Sequence, residues 1–128
     1  MDSSSTAKPL IERKSQDLEA LFRTMGERLA PSGEKGRLQF RIYDSSGDTN
    51  WVISLAGGSS KLDTSKVDQP NLEVLTQKET MLQMADGSLT PTVAFYRGQL
   101  RVRGDVELGK RLLTHLGSPD GEIWKSRA

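Results

Sequence analysis

Apolar residues recur along this chain with two periods, one typical of helices and one typical of strands. Between residues 15 and 29 they lie three, four and seven positions apart, which places them on one face of a helix. Residues 38–43 alternate apolar with polar positions, and residues 51–55 place their largest apolar side chains at every second position. The pattern predicts a helix capped by Ser15, then two strands that meet at a turn over residues 44–48.

Glycines and further alternation extend these strands into a meander. Gly57 and Gly58 supply the positive φ angles of a tight hairpin before a short third strand at residues 61–63. Residues 71–74 alternate again and predict a fourth strand after a polar connection. Residues 99–103 predict a fifth strand, which buries its apolar side and exposes its charged side.

Three short helices are predicted beside the last two strands. Thr76 and Glu79 match a capping box, in which each side chain satisfies an amide at a helix start. Thr90 followed by Pro91 predicts a second short helix, because proline is harmless at the first helical position. Asp105 is expected to cap the final helix.

The fold class follows from the strand pattern. Nearly every strand alternates and none is apolar throughout, which favours a largely antiparallel sheet with helices on one face. We therefore predict an α+β fold, with a five-stranded, mostly antiparallel sheet covered on one face by about five helices. The predicted organisation is a flexible segment over residues 1–14, one domain over 15–117 and a tail over 118–128.

Charge and cysteine content exclude several classes of function. The 128 residues include 18 basic and 17 acidic side chains, so no large positive field exists to hold nucleic acid. The absence of cysteine excludes a disulfide scaffold, a thiolate metal site and a cysteine nucleophile. The polar N-terminus lacks the apolar run of a secretory signal, so we expect a cytoplasmic protein. Ser126-Arg127-Ala128 begins like the peroxisomal S-K-L address but ends in alanine, which makes it a poor targeting signal.

Few polar side chains fit a catalytic or metal site. His115 is the only histidine, and neither a serine elbow nor a paired-histidine spacing accompanies it. Asp44 and Asp48 flank a turn but lack the spacing of a calcium loop. We therefore predict no catalytic residue, no metal site and no cofactor.

Basic side chains outnumber acidic ones near the end of the chain. Arg97, Arg101, Arg103, Lys110 and Arg111 fall in a region where Asp105 and Glu107 are acidic. Such a row is either the solvated side of a sheet or a surface for transient contact with an anionic membrane.

Apolar side chains rich in methionine and aromatic rings are the remaining candidates. Trp51, Met81, Met84 and Phe95 fall on the predicted strands and short helices. Periodicity does not separate a filled core from one hollowed around a ligand. Methionine repacks at little cost, so these residues are either ordinary core or the adaptable wall of a pocket.

Three segments of the chain resemble the sterol carrier protein 2 family. Residues 81–91, MLQMADGSLTP, are similar to the family's short helix and its G-x-L-x-P turn. Residues 94–105, AFYRGQLRVRGD, are similar to its A-F-x-x-G-K-L-K-I-x-G-D signature, with Gln99 in place of a lysine. Residues 50–55, NWVISL, resemble its tryptophan-bearing second strand, and the element order matches over roughly residues 15–117.

The resemblance implies a lipid-carrying domain without cofactor or catalysis. Its hydrophobic cavity would be an apolar tunnel between the sheet and the helices, and it would carry sterols, fatty acyl chains, acyl-CoA or phospholipids. Mapped position by position, the implied ligand contacts are Trp51, Met81, Met84, Phe95, Leu112, Leu113, Leu116 and Trp124. Trp124, in the tail, would act as a lid over the tunnel mouth. Peroxisomal localisation follows only from analogy with the family.

Two other functions stay open. The domain could present substrates to, or interact with, a lipid-metabolising enzyme, and an exposed apolar patch would then matter more than a cavity. It could also be a small enzyme that cyclises or isomerises an apolar substrate, with a buried carboxylate or Tyr96 as proton donor. The sequence supplies no paired groups for that chemistry.

Overall fold

The computed structural model describes residues 10–116, with side chains described from residue 18 onward. Helix α1, Leu10–Leu29, is the first element, so Ser15 lies inside this helix and is not its cap. A 3-10 turn, Ala30–Ser32, follows, and Gly33 ends it with a φ of 74°. Residues 1–9 and 117–128 lie outside the described residues, and they include the predicted C-terminal tail.

Five strands form one mixed sheet. They are β1 (Lys35–Asp44), β2 (Gly47–Ala56), β3 (Ser60–Asp63), β4 (Leu72–Gln77) and β5 (Leu100–Gly104). Their order across the sheet is β3-β2-β1-β4-β5, and every neighbouring pair is antiparallel except β1 and β4. The prediction of a five-stranded, mostly antiparallel sheet is confirmed, and the parallel pair at its centre is the new feature.

Three short helices lie in the second half of the chain. They are α2 (Lys78–Ala85), α3 (Pro91–Tyr96) and α4 (Val106–Leu116). Together with α1 they make four α-helices among the described residues, where about five were predicted. None of these four has the length and apolar content that a membrane crossing requires.

Two of the predicted helix caps are confirmed. The Thr90 hydroxyl accepts a hydrogen bond of 3.1 Å from the Val93 N–H, which starts α3. The Asp105 carboxylate accepts one of 3.0 Å from the Leu108 N–H, which starts α4. Both caps satisfy amides that the first helical turn leaves without a partner.

The predicted capping box at Thr76 and Glu79 is wrong. β4 continues to Gln77, so Thr76 lies in the strand, and its side chain is fully buried. Its hydroxyl donates a hydrogen bond of 2.7 Å to the carbonyl oxygen of Gln99. Thr76 therefore ties β4 to the residue before β5, and α2 begins without a side-chain cap.

The inward faces of the sheet and helices form one contiguous apolar core. Phe22 of α1 is completely buried, and its ring centroid lies 4.9 Å from that of Phe40 on β1. The same ring stacks on Trp51 of β2 at 5.5 Å. These aromatic contacts fix α1 across the first two strands.

The opposite face of the sheet is partly covered as well. Gln39, predicted to face water, is 2% exposed because the connection over residues 64–71 crosses this part of β1. Its amide oxygen accepts a hydrogen bond of 2.9 Å from the Val67 N–H, and its amide nitrogen donates one of 3.2 Å to Glu73. A covered polar side chain is tolerated there because both of its ends find partners.

Candidate ligand-binding site

Five of the eight predicted ligand contacts are buried in the apolar core. They are Trp51, Met81, Met84, Leu112 and Leu116. Strand β2 supplies the tryptophan, α2 the methionines and α4 the leucines, and all five belong to one contiguous cluster. Leu113 is half-buried and packs against the same cluster. The structure thus brings six of these residues together, and their contact with a ligand stays a prediction.

Phe95 lies outside this core. Its side chain is 52% exposed, whereas the adjacent Ala94 is fully buried, so α3 turns its alanine inward and its phenylalanine outward. The Phe95 ring meets the ring of Tyr96 edge-on, with centroids 5.9 Å apart. The aromatic residue of the signature therefore faces the surface. Trp124, the predicted lid, lies outside the described residues.

A concave region of about 320 Å³ follows β5 at the edge of the sheet, and we call it the β5 groove. Its walls are formed by Arg41, Glu73, Leu75, Phe95, Leu100, Arg101, Val102 and Arg103. In the register of β4 with β5, successive side chains of β5 point to opposite faces of the sheet. The groove therefore wraps around the edge strand and is lined from both faces.

The apolar wall of the β5 groove adjoins the core. Leu100 and Val102 pair with Thr76 and Val74, whose side chains are buried beneath the helices. Both groove residues are half-buried, and they pack against the cluster that contains the predicted ligand contacts. Leu100 and Val102 are thus the residues through which the groove borders the core.

Charged side chains form the outer rim of the groove. Arg103 donates a hydrogen bond of 3.4 Å to Glu73, and Arg41 forms an ion pair of 3.4 Å with Asp48. Arg101 forms no ion pair with any of the described residues. The excess of positive charge suits an anionic group at the open side of the groove.

Sequence reasoning did not assign Leu75, Leu100 and Val102 to the site. A signal existed for the last two, because the alternation of residues 99–103 already turned them toward the helices. None existed for Leu75, which lies beside Arg101 in the groove only because β4 and β5 are neighbours. Strand partners far apart in sequence are not encoded in local periodicity.

Catalysis on an apolar substrate would require a metal site or an enclosed proton donor. No group of three or more histidine, aspartate or glutamate side chains lies together within residues 18–116 so that it could hold a metal ion. The buried polar side chains of residues 18–116 are Gln39, Thr76 and Thr80, so no carboxylate in this range is buried. Tyr96 is 81% exposed. These residues do not form an enclosed proton donor beside an apolar site.

The architecture defines a small α+β domain, in which four helices and a mixed five-stranded sheet enclose one apolar core with a groove at the β5 edge. Residues 11–116 match the model of the SCP-2 sterol transfer family. The chain therefore belongs to this family, and the resemblance inferred from its sequence motifs is confirmed.

Solved structures of mosquito proteins share the fold. The crystal structure of sterol carrier protein 2 like 2 from Aedes aegypti aligns with a TM-score of 0.66 and 24% identity, over 78% of this chain and 96% of that one. The solution structure of palmitated SCP2L2 from Aedes aegypti aligns with a TM-score of 0.65 and 24% identity, over 78% of this chain and 94% of that one. At this identity the likeness establishes the fold.

A relative at the sequence level is a much longer protein. The hydroxysteroid dehydrogenase-like protein 2 of Rattus norvegicus is 29% identical over 84 residues, which cover 62% of this chain. The same match covers 16% of the rat protein, so the aligned region spans about one sixth of its length.

Proposed function

We propose that this domain binds an apolar lipid (a sterol, a fatty acyl chain, an acyl-CoA or a phospholipid) and transfers it without changing it chemically. One observation carries the proposal: two apolar residues of the β5 groove, Leu100 and Val102, pack against the buried cluster that contains Met81 and Met84. A lipid tail that enters past Leu100 and Val102 would meet these adaptable methionine side chains. Membership of a sterol transfer family supports the same function.

The physical driving force is removal of hydrocarbon from water. Each methylene that leaves water contributes about 0.8 kcal/mol, so an apolar cavity binds an acyl chain without specific polar chemistry. Methionine side chains are unbranched and repack at little cost. Displacement of Leu100 or Val102 by a lipid tail would extend the groove toward Met84, and this adaptable wall suits reversible binding of several lipids.

The rim of the groove favours lipids with an anionic head. Three arginines and one glutamate surround its open side, and Arg101 has no acidic partner among residues 18–116. A guanidinium matches the planar geometry of a carboxylate or a phosphate. We therefore rank fatty acids, acyl-CoA and phospholipids above sterols as ligands. The palmitated form of the Aedes aegypti protein supports a fatty acyl ligand for this fold.

A fluorescent fatty acid titration tests the proposal. We expect saturable uptake by the wild-type protein and at least about tenfold weaker uptake by Phe95→Asp, because the new carboxylate would face the acyl chain. Phe95 is 52% exposed, so this substitution should not unfold the domain, and circular dichroism checks that it does not.

Tyr96→Asp is the matched control. Tyr96 is the next residue of α3, is more exposed than Phe95 and does not line the β5 groove. Equal uptake by wild type and Phe95→Asp would remove the groove from the proposal. Absence of saturable uptake by the wild-type protein would reject the lipid carrier itself.

A second candidate function is presentation of a lipid substrate to an enzyme. The rat relative favours it, because there the matching region is a minor part of a longer protein with a dehydrogenase-like name. Native mass spectrometry of the purified domain separates the two candidates. Co-purified lipid supports carriage, whereas a lipid-free domain that binds an enzyme supports the interaction module.

A further inference from the structure

Helix α3 exposes three apolar side chains to solvent. Val93 is 37% exposed, Phe95 52% and Tyr96 81%. The helix itself is held in place, because Ala94 is fully buried and Thr90 caps its first turn. Fixed rings that project into water form a patch that gains free energy when another surface covers it.

Two exposed basic side chains belong to the same region as these rings. Arg97 ends α3, Arg101 lies on β5, and both are exposed. Neither forms an ion pair within residues 18–116, whereas the nearby Arg103 is paired with Glu73. Two positive charges without acidic partners in the described structure therefore flank the exposed rings.

The rings, the charges and the β5 groove belong to one continuous surface. Phe95 and Arg101 both line the groove, and the Tyr96 ring lies 5.9 Å from that of Phe95. We call the set of Val93, Phe95, Tyr96, Arg97 and Arg101 the α3–β5 surface. Whatever binds it will lie over the mouth of the groove.

We propose that the α3–β5 surface docks on an anionic phospholipid bilayer and thereby sets the β5 groove against the membrane. This inference rests on the proposed lipid-transfer function and names the surface that delivers the groove to its lipid source. Tyrosine partitions into the headgroup region with its ring in the apolar boundary and its hydroxyl toward water, and phenylalanine adds a purely apolar ring to the same boundary. Arg97 and Arg101 would meet lipid phosphates at the same depth.

The shape of the surface favours a bilayer over an acidic polypeptide. Tyr96 projects from a helix end, which suits insertion between headgroups, whereas a peptide is usually bound in a groove or along a strand edge. The surface carries only two basic side chains, and such weak attraction suits a carrier that must dissociate from the membrane after each transfer. One basic side chain near an anionic surface changes binding about fivefold, which corresponds to about 1 kcal/mol.

Vesicle co-sedimentation tests the proposal. The probe is a phosphatidylcholine vesicle, with or without phosphatidylserine, and we expect the wild-type protein to bind only the vesicles that contain phosphatidylserine. Arg97→Gln should weaken this binding about fivefold, and Tyr96→Ser combined with Arg97→Gln should weaken it further. Neither residue lines the groove, so both variants should retain fatty acid uptake in solution.

Two substitutions on other surfaces serve as controls. Lys61→Gln removes an exposed positive charge from β3, at the opposite edge of the sheet, and Val106→Ser removes an exposed apolar side chain beyond the far end of β5. Both should bind vesicles like the wild type. Equal losses in the controls, or no loss in the Tyr96 and Arg97 variants, would overturn the docking surface.

Two further outcomes separate the alternatives. Binding of polyglutamate without binding of vesicles would assign the surface to an acidic protein partner and reject the proposal. Vesicle binding that depends on Arg97, in a wild-type protein without fatty acid uptake, would support the docking surface while rejecting the lipid carrier.

Discussion

Glu34 and Arg111 show how single residues hold the two halves of the domain together. Arg111 of α4 donates two hydrogen bonds to the Glu34 carboxylate, at 2.7 Å from Nε and 3.2 Å from Nη2. This forked geometry is the favourable one for arginine and carboxylate. The hydrogen bond and charge of Arg111 hold the pKa of Glu34 below its ordinary value. The pair ties the segment before β1 to the helix that closes the core.

Glu34→Gln should lower the melting temperature at neutral pH, and the difference from wild type should shrink on acidification. Because the folded pKa is below the unfolded value of 4.5, the stabilisation is present above that value and is lost as pH falls through the folded pKa. Thermal unfolding from neutral pH down to about pH 3 measures this trend.

Glu27→Gln is the control for this experiment. Glu27 is an exposed residue of α1 without an ion pair among the described residues, so its removal should change little at any pH. A Glu34→Gln protein as stable as wild type at neutral pH would contradict the role of the pair.

Particular residues also show which parts of the structure are predictable from the sequence. The caps at Thr90 and Asp105 were predictable because donor and acceptor lie three residues apart. Thr76 was not, because its hydroxyl donates to a carbonyl 23 residues away. Phe95 was assigned to the cavity by resemblance, but its exposure depends on how α3 rests on the sheet. Contacts between residues close in sequence were therefore predictable, whereas contacts between residues far apart in sequence were not.

At the scale of elements, Gly104 shows why β5 ends where it does. Its φ is 97°, and a Cβ placed there would lie 2.5 Å from the Asn71 carbonyl oxygen. The same oxygen accepts a hydrogen bond of 2.8 Å from the Asp105 N–H. The close approach that glycine permits therefore holds the end of β5 and the start of α4 against β4.

Gly104→Ala should destabilise the domain more than Gly98→Ala. Both sites have positive φ, which costs about 1–2 kcal/mol for alanine. Gly98 has open space around its Cβ position, whereas the contact at Gly104 forces a backbone shift that adds about 1–3 kcal/mol. Urea unfolding measures the difference, and equal losses would show that β5 and β4 separate freely at this point.

Alternation predicted the strands of the sheet but only part of their arrangement. The hairpins β1–β2 and β2–β3 were predictable because short turns connect their strands. The parallel pairing of Leu38 with Leu72 was not, since alternation reports which face a residue occupies and not which strand lies beside it. The β5 groove includes Arg41 of β1, so its shape depends on this pairing; the sequence placed Leu100 and Val102 on the apolar side of β5 but did not predict the groove.

At the scale of the whole molecule, the candidate site occupies one side of the sheet. β4 and β5 follow β1 in the strand order, whereas β2 and β3 lie on its other side. The β5 groove draws seven of its eight wall residues from residues 73–103, and Arg41 of β1 is the exception. Ligand binding should therefore stabilise the second half of the chain more than the first.

Hydrogen exchange with and without palmitate measures this asymmetry. We expect the added protection to concentrate in α3 and β5, because both lie against the groove and β5 is an edge strand. Phe95→Asp should show no such gain. Added protection confined to β2 and β3 would place the ligand elsewhere and contradict the groove as its site.

The parallel pairing of β1 with β4 also bears on how the protein emerges from the ribosome. α1 is synthesised before strands β1 to β3 and contacts β2 and β3. The first half of the chain therefore has a helix that can cover the apolar face of these strands during synthesis. On this order of synthesis the half that contains the groove would join afterwards, when β4 pairs with β1. Assembly in this order would make the β5 groove the last part of the domain to form.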